Sequence, residues 1–339
     1  MLPLHHRART APGRAGWRRG HAGLAPGGAA KLEGGAPGDQ RARAADGLPR
    51  PPGGLLAVLF TLPRSVLDPA PSDPNGDPSP DERGAIGVLG GLGPYAGLDL
   101  VRALFDETDA HADQEHLPVA LLSYPGRIPD RATWLADRAA PSPLPGMLEV
   151  LRRLDDAGCS VAGVPCNTAH APALFDRLVD GLLADGRDLR LLHIVDAIVE
   201  RVGELAPGAG RVGVLATTSS VENRLHQVGL EAAGMSAVVP DAAHQARVQE
   251  SIYGREWGLK AQSAPPDPRA RRALLDAADH LVGRGAEAVI LGCTELPLAV
   301  PEADRSGVPF VNSTRALARA LIRASHPAKL RGGAGGGEA

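Results

Sequence analysis

The chain has 339 residues, 43% of them hydrophobic, 22% charged and 3% aromatic, with a formal net charge of −3. At roughly 100–200 residues per domain, that length predicts about two domains. A mildly acidic chain lacks the electrostatic footprint of a nucleic-acid-binding protein, and three cysteines (Cys159, Cys166, Cys293), none in a CxxC pair, make neither a disulfide framework nor a zinc site.

Residues 1–80 hold 13 Gly and 13 Pro, and 10 Lys+Arg against 6 Asp+Glu, so the other 259 residues carry −7. Chain breakers at that density without a period mark low-complexity chain, and 1–83 is expected to be a disordered extension. Its longest apolar run, 55–62, is far short of the roughly 20 residues that cross a bilayer. No charged-then-apolar segment opens the chain, and no serine precedes Ser65, which argues against a transit peptide. The expectation is a cytoplasmic protein with no membrane partner and no nucleic-acid partner.

From Gly84 the texture changes. Residues 85–89 are a short apolar run ending in Gly90-Gly91, which reads as a buried strand and a tight turn. Leu98, Val101, Leu104 and Phe105 recur at helical spacing, and 119–122 read as a second strand. Met147, Leu148, Leu151 and Leu154 make an amphipathic helix stopped by Gly158. A third strand, 161–164, runs into Cys166, and 191–195 is another strand-like run. The order then restarts with a strand at 211–215, helices near 220–233 and 269–283, a strand running into Cys293, and a last strand at 308–311. Strands alternating with helices imply parallel βαβ units.

The restart is an internal repeat. Gly158 and Gly285 each lie eight residues before a cysteine, and Gly87 to Cys166 spans 79 residues where Gly213 to Cys293 spans 80. The period is about 126 residues. The fold class is therefore α/β, with two similar Rossmann-like domains related by a pseudo-two-fold axis and an active site in the cleft between them.

Ligands of open α/β sheets sit beyond the carboxyl ends of the strands, where both Cys166 and Cys293 fall. Each is expected near the start of a helix, where the N–H groups and the dipole lower a thiol pKa. Asn167, Thr168 and Thr294 add hydrogen-bonding side chains beside each sulfur. Two thiols facing across a cleft suit proton removal from one face of a carbon and delivery to the other. A buried cysteine is otherwise simply a small apolar side chain, which is the reading for Cys159. His170 opens a second possibility, a Cys166–His170 nucleophile–base pair, although this leaves Cys293 unexplained. The turn Gly91-Leu92-Gly93-Pro94-Tyr95-Ala96 fits a dinucleotide fingerprint formally, but the second strand ends Ser123-Tyr124 without the acidic residue a ribose needs. The turn instead lets the backbone at Gly93 approach a small anionic ligand. His111, Glu115 and His116 read as a polar loop, and no metal site is expected.

Gly90-Gly91-Leu92-Gly93-Pro94, Ile128-Pro129-Asp130-Arg131, Cys166-Asn167-Thr168-Ala169-His170 and Gly292-Cys293-Thr294-Glu295-Leu296-Pro297 together resemble the aspartate racemase branch of the aspartate/glutamate racemase superfamily over about 84–325. Glutamate racemases carry His after the second Cys-Thr, where Glu295 stands here. The resemblance implies a cofactor-independent racemase with Cys166 and Cys293 as acid/base thiols. It further implies that Arg131 and Lys260 contact substrate carboxylates and that Asn167, Thr168 and Thr294 hold the α-carboxylate and amino group. It also implies a homodimer whose only other partner is a small amino-acid substrate, a first domain of 84–193 plus 308–326 and a second domain of 194–307; the Gly-rich composition of the C-terminus separately predicts a disordered tail at 327–339. Gly97 and Gln262 depart from the family pattern, which leaves open a related thiol isomerase or racemase acting on a hydantoin, maleate or another amino acid. A non-catalytic amino-acid-binding protein also remains open.

Overall fold

The computed structural model describes residues 84–332; the expected extension at 1–83 and the tail from 333 onward lie outside the described residues. The first lobe is built from β1 (Ala85–Gly90), α1 (Pro94–Asp106), β2 (Val119–Ser123), α2 (Arg131–Ala136), α3 (Leu144–Asp156), β3 (Cys159–Gly163), α4 (Pro172–Ala184) and β4 (Arg190–Leu191). Its sheet runs β2-β1-β3-β4, all parallel. Proline at the first helical position starts α1. Gly158, at φ +83°, turns the chain from α3 into β3 in a conformation that favours glycine.

The chain continues through α5 (Ile194–Leu205), β5 (Arg211–Leu215), α6 (Thr218–Glu222), α7 (Leu225–Ala232), β6 (Ser236–Val238), α8 (Ala242–Tyr253), α9 (Pro268–Gly283), β7 (Ala288–Leu291), α10 (Leu296–Ala299), β8 (Asp304–Arg305), β9 (Val308–Asn312) and α11 (Ser313–Ser325). The second sheet runs β6-β5-β7-β9-β8, with only β8 antiparallel. The repeat is thus visible in topology: β5 sits between β6 and β7 as β1 sits between β2 and β3.

One buried apolar cluster joins the two sheets. Ile86 and Val88 of β1 and Val212 and Val214 of β5 share it with Ile194 and Ile198 of α5 and Leu317 and Leu321 of α11. Two further clusters fill the outer faces, one under α3 and α4, the other under α8 and α9. The two lobes therefore share one core, and the strand ends that carry the cysteines are held in a fixed relation.

Three expectations are corrected. The run at 191–195 is not a strand, because β4 ends at Leu191 and α5 begins at Ile194. Ile194, Val195, Ile198 and Val202 are buried at helical spacing. The return of 308–326 to the first domain is divided: β9 pairs with β7 in the second sheet, while α11 packs against α1, α5 and β3. Gly163 allows that close approach, since a Cβ there would sit 2.7 Å from Leu321 Cδ1. Finally, 327–332 is ordered: Leu330 bridges to Thr108, and the Arg331 N–H donates to the Glu107 carbonyl at 2.8 Å. Among the described residues no helix is long and apolar enough to cross a membrane.

Candidate active site

Beyond the carboxyl ends of β3 and β7 lies a small cavity lined by Arg131, Cys166, Asn167, Thr168, Thr217, Tyr253, Lys260, Cys293, Thr294 and Glu295. Its volume, about 10 Å³, is that of a single water site. Cys166 and Cys293 are 8% and 7% exposed. Each precedes a short helical turn, Asn167–His170 for the first and Leu296–Ala299 for the second. The Leu296–Ala299 turn is too short for the dipole expected to lower the Cys293 pKa. The Cys293 thiol is instead raised well above its ordinary value, first by burial and then by the Glu295 carboxylate.

The two thiols face opposite charges. The Cys293 thiol donates to Glu295 Oε2 at 2.9 Å, and Glu295 Oε1 accepts from Lys260 Nζ at 2.5 Å. Burial opposes ionisation of Glu295, but Lys260 and the thiol hold its carboxyl below the usual range. Lys260 is raised in turn: burial works against its charge, and Glu295 leads the groups that outweigh it. Arg131 opens α2 behind Asp130, whose carboxylate caps the helix by accepting from the Thr133 N–H at 2.8 Å. Its guanidinium donates to the carbonyls of Leu92 and Pro129. Burial again disfavours the charge, but the Cys166 side chain beside it raises the arginine pKa.

The hydroxyls and the amide are largely committed to protein partners. Thr294 Oγ1 donates to the Pro165 carbonyl at 3.0 Å. Thr168 Oγ1 lies 3.4 Å from Ser220 Oγ, which is 2.9 Å from Thr217 Oγ1. Asn167 Nδ2 donates to Ser313 Oγ at 3.2 Å, and its Oδ1 lies 3.0 Å from His226 Nε2.

Gly93 lines a neighbouring cavity of about 160 Å³ with Gly91, Pro94, Ala96, Lys260, Ser263 and Glu295. Lys260 and Glu295 form the wall common to both cavities. A Cβ on Gly93 would come within 2.4 Å of Glu295 Oε1, and one on Gly91, at φ +88°, within 2.8 Å of the Tyr124 backbone nitrogen. The Tyr124 backbone beside Gly91 and the Glu295 carboxylate beside Gly93 leave no room for a side chain at either position.

The Cys166–His170 pair is not formed. His170 Nε2 meets the Val164 carbonyl at 3.0 Å, and Nδ1 accepts the Ile194 N–H at 3.2 Å, so both ring nitrogens are occupied by backbone. In the 111–116 loop the His111 N–H donates to Glu115 at 2.7 Å and the His116 ring meets Phe105 edge-on. The buried Cys159 thiol is pushed up to about 11, chiefly by burial. Sequence reasoning did not single out Thr217, Tyr253 or His226, and noted Glu295 only as a departure from histidine. The phase of β5 relative to β1 points toward Thr217, but nothing local marks the others.

Residues 89–321 match the family model described as Asp/Glu/hydantoin racemase. The chain is 31% identical over 228 residues to glutamate racemase of Deinococcus radiodurans, spanning 65% of this chain and 67% of that protein. It is 36% identical over 133 residues to an uncharacterized protein of Pectobacterium carotovorum subsp. carotovorum, spanning 39% and 83%. Among solved structures, Picrophilus torridus aspartate racemase is similar with a TM-score of 0.59 at 27% identity, over 71% of this chain and 94% of that one. The chain belongs to the Asp/Glu/hydantoin racemase family, whose racemases are isomerases.

Proposed function

We propose that the protein racemises an acidic amino acid, aspartate first, without pyridoxal phosphate, by a two-base proton transfer at Cα. The carrying observation is that both thiols line one cavity with Arg131 and Lys260. Similarity to the Picrophilus torridus aspartate racemase, with Glu295 where glutamate racemases carry histidine, supports aspartate as the first substrate, and the 31% identity to a glutamate racemase makes glutamate the second.

The charges around each sulfur suggest the division of labour. Cys293, buried and beside a carboxylate, holds its proton and is the donor. Cys166, as thiolate beside Arg131, takes the Cα proton from the opposite face. The Cα–H electron pair stays on carbon and delocalises into the α-carboxylate. The Cys293 S–H bond then breaks as that carbon is reprotonated with inverted configuration, which leaves Cys166 protonated and Cys293 as thiolate. The reverse reaction starts from that state. Cations and fixed N–H donors around the carboxylate supply the stabilisation that an electron-sink cofactor would give, and Lys260 offsets the repulsion between Glu295 and a Cys293 thiolate.

The test is incubation with L-aspartate, then L-glutamate, in D2O without added pyridoxal phosphate. Cα deuterium is followed by NMR and chirality by chromatography. Deuterium uptake with appearance of the D-enantiomer is expected; folded, reduced protein that exchanges neither amino acid overturns the reading. We further propose a homodimer acting in the cytoplasm, where thiols stay reduced; a monomer in sedimentation velocity argues against the dimer.

A further inference from the structure

His226, on α7, is fully buried and touches the chain next to both cavity thiols. Its Nε2 lies 3.0 Å from Asn167 Oδ1, the side chain that follows Cys166. Its ring also packs closely against Gly292, the residue before Cys293: a Cβ at Gly292 would sit 2.8 Å from His226 Cε1 and 2.9 Å from Nε2. Asn167 is fixed from its other end by the 3.2 Å hydrogen bond from Nδ2 to Ser313 Oγ, at the start of α11.

The imidazole is neutral. Burial first, and the His193 charge second, push its pKa down to about 4. A neutral ring has one N–H, and Nδ1 is buried without a hydrogen-bond partner. Placing the proton on Nδ1 would bury an orphan donor, which costs more than a bare acceptor. The proton therefore sits on Nε2 and is donated to Asn167.

We propose that His226 is a positioning residue that sets the relation of the two thiols, holding Cys166 through Asn167 by a hydrogen bond and Cys293 through Gly292 by packing. This rests on the two-thiol racemase reading. The two contacts are chemically separable. His226→Phe keeps a ring against Gly292 and removes the donor to Asn167, whereas His226→Gln keeps an N–H donor.

The experiment measures Cα–deuterium exchange of each aspartate enantiomer in two backgrounds, Cys293→Ala, which leaves Cys166 as the cavity's thiol, and Cys166→Ala, which leaves Cys293. His226→Phe is expected to slow exchange about tenfold in the first and by less than about twofold in the second, because misplacing a reacting group by a fraction of an ångström is costly. His226→Gln is expected to recover most of the loss. Equal losses in both backgrounds, together with a lowered melting temperature, mean a general structural role and overturn the proposal; so does a Gln variant no better than Phe. Alkylation of the cysteine-intact chain by iodoacetamide, resolved by peptide mass spectrometry, gives a readout independent of turnover. His226→Phe should change the Cys166:Cys293 rate ratio by about threefold or more, and an unchanged ratio overturns the proposal. Absence of any exchange in the wild-type protein removes the racemase reading itself.

Discussion

The Thr294 hydroxyl donates to the carbonyl of Pro165 across 129 positions of sequence, joining the residue after one cavity thiol to the residue before the other. The bond commits the hydroxyl that the sequence offered to substrate and makes it a tie between the two repeats. Thr294→Val removes the donor at nearly constant volume and leaves the buried Pro165 carbonyl without it, at a cost of about 1–3 kcal/mol. Urea unfolding should show that loss, racemisation should fall with it, and Thr294→Ser should retain most of both. A Val variant as stable and active as wild type would remove the tie.

The paired thiols predict a pattern that a single-base or Cys–His mechanism does not share. Cys166→Ala and Cys293→Ala should each abolish racemisation, while either variant retains a thiol able to exchange the Cα proton of one enantiomer. Deuterium NMR on separated L- and D-aspartate reads this directly, with opposite enantiomers expected for the two variants. Full two-way racemisation by either variant would sink the two-base assignment.

Glu295 raises the Cys293 thiol, after burial, by placing an anion against it. Glu295→Gln removes that charge and frees Lys260 from its 2.5 Å partner. The thiol pKa must then fall, so the alkaline limb of the rate profile, where the donor is lost, should move to lower pH. Substrate affinity should rise as Lys260 becomes available to a carboxylate. A pH–rate profile of kcat for the Gln variant checks the sign, and an alkaline limb that stays or moves up contradicts the coupling.

Periodicity and the Gly-to-Cys spacing were enough to locate β1, β3, β5 and β7, the repeat, and the strand ends that carry Cys166 and Cys293. Those are local properties of alternating buried segments. What was hidden is set by long-range pairing. Lys260 and Glu295 are 35 residues apart, and nothing near either one signals the other. The sheet that β9 joins is decided by its ladder with β7, although α11 immediately after it packs on the first lobe. His170 stands four residues after Cys166, as a base would, but the turn that follows Cys166 sends its ring back to the Val164 carbonyl.

The burial that this placement imposes on His170, and not its hydrogen bond to Val164, makes the fold sensitive to acid. Burial, followed by the His193 charge, lowers its pKa to about 3. The unfolded chain takes up this proton near pH 6.5, and the folded chain takes it up only near 3. The stabilisation is therefore fully present above about 6.5 and is lost progressively as pH falls toward 3, at a limiting slope of about 1.4 kcal/mol per pH unit. His170→Gln has no titrating ring and should lose about 2 kcal/mol less than wild type between pH 7 and pH 5. Urea unfolding at the two pH values measures the difference. Parallel losses in the two proteins would mean that His170 is protonated in the native state and would reopen its assignment as a backbone-bound neutral ring.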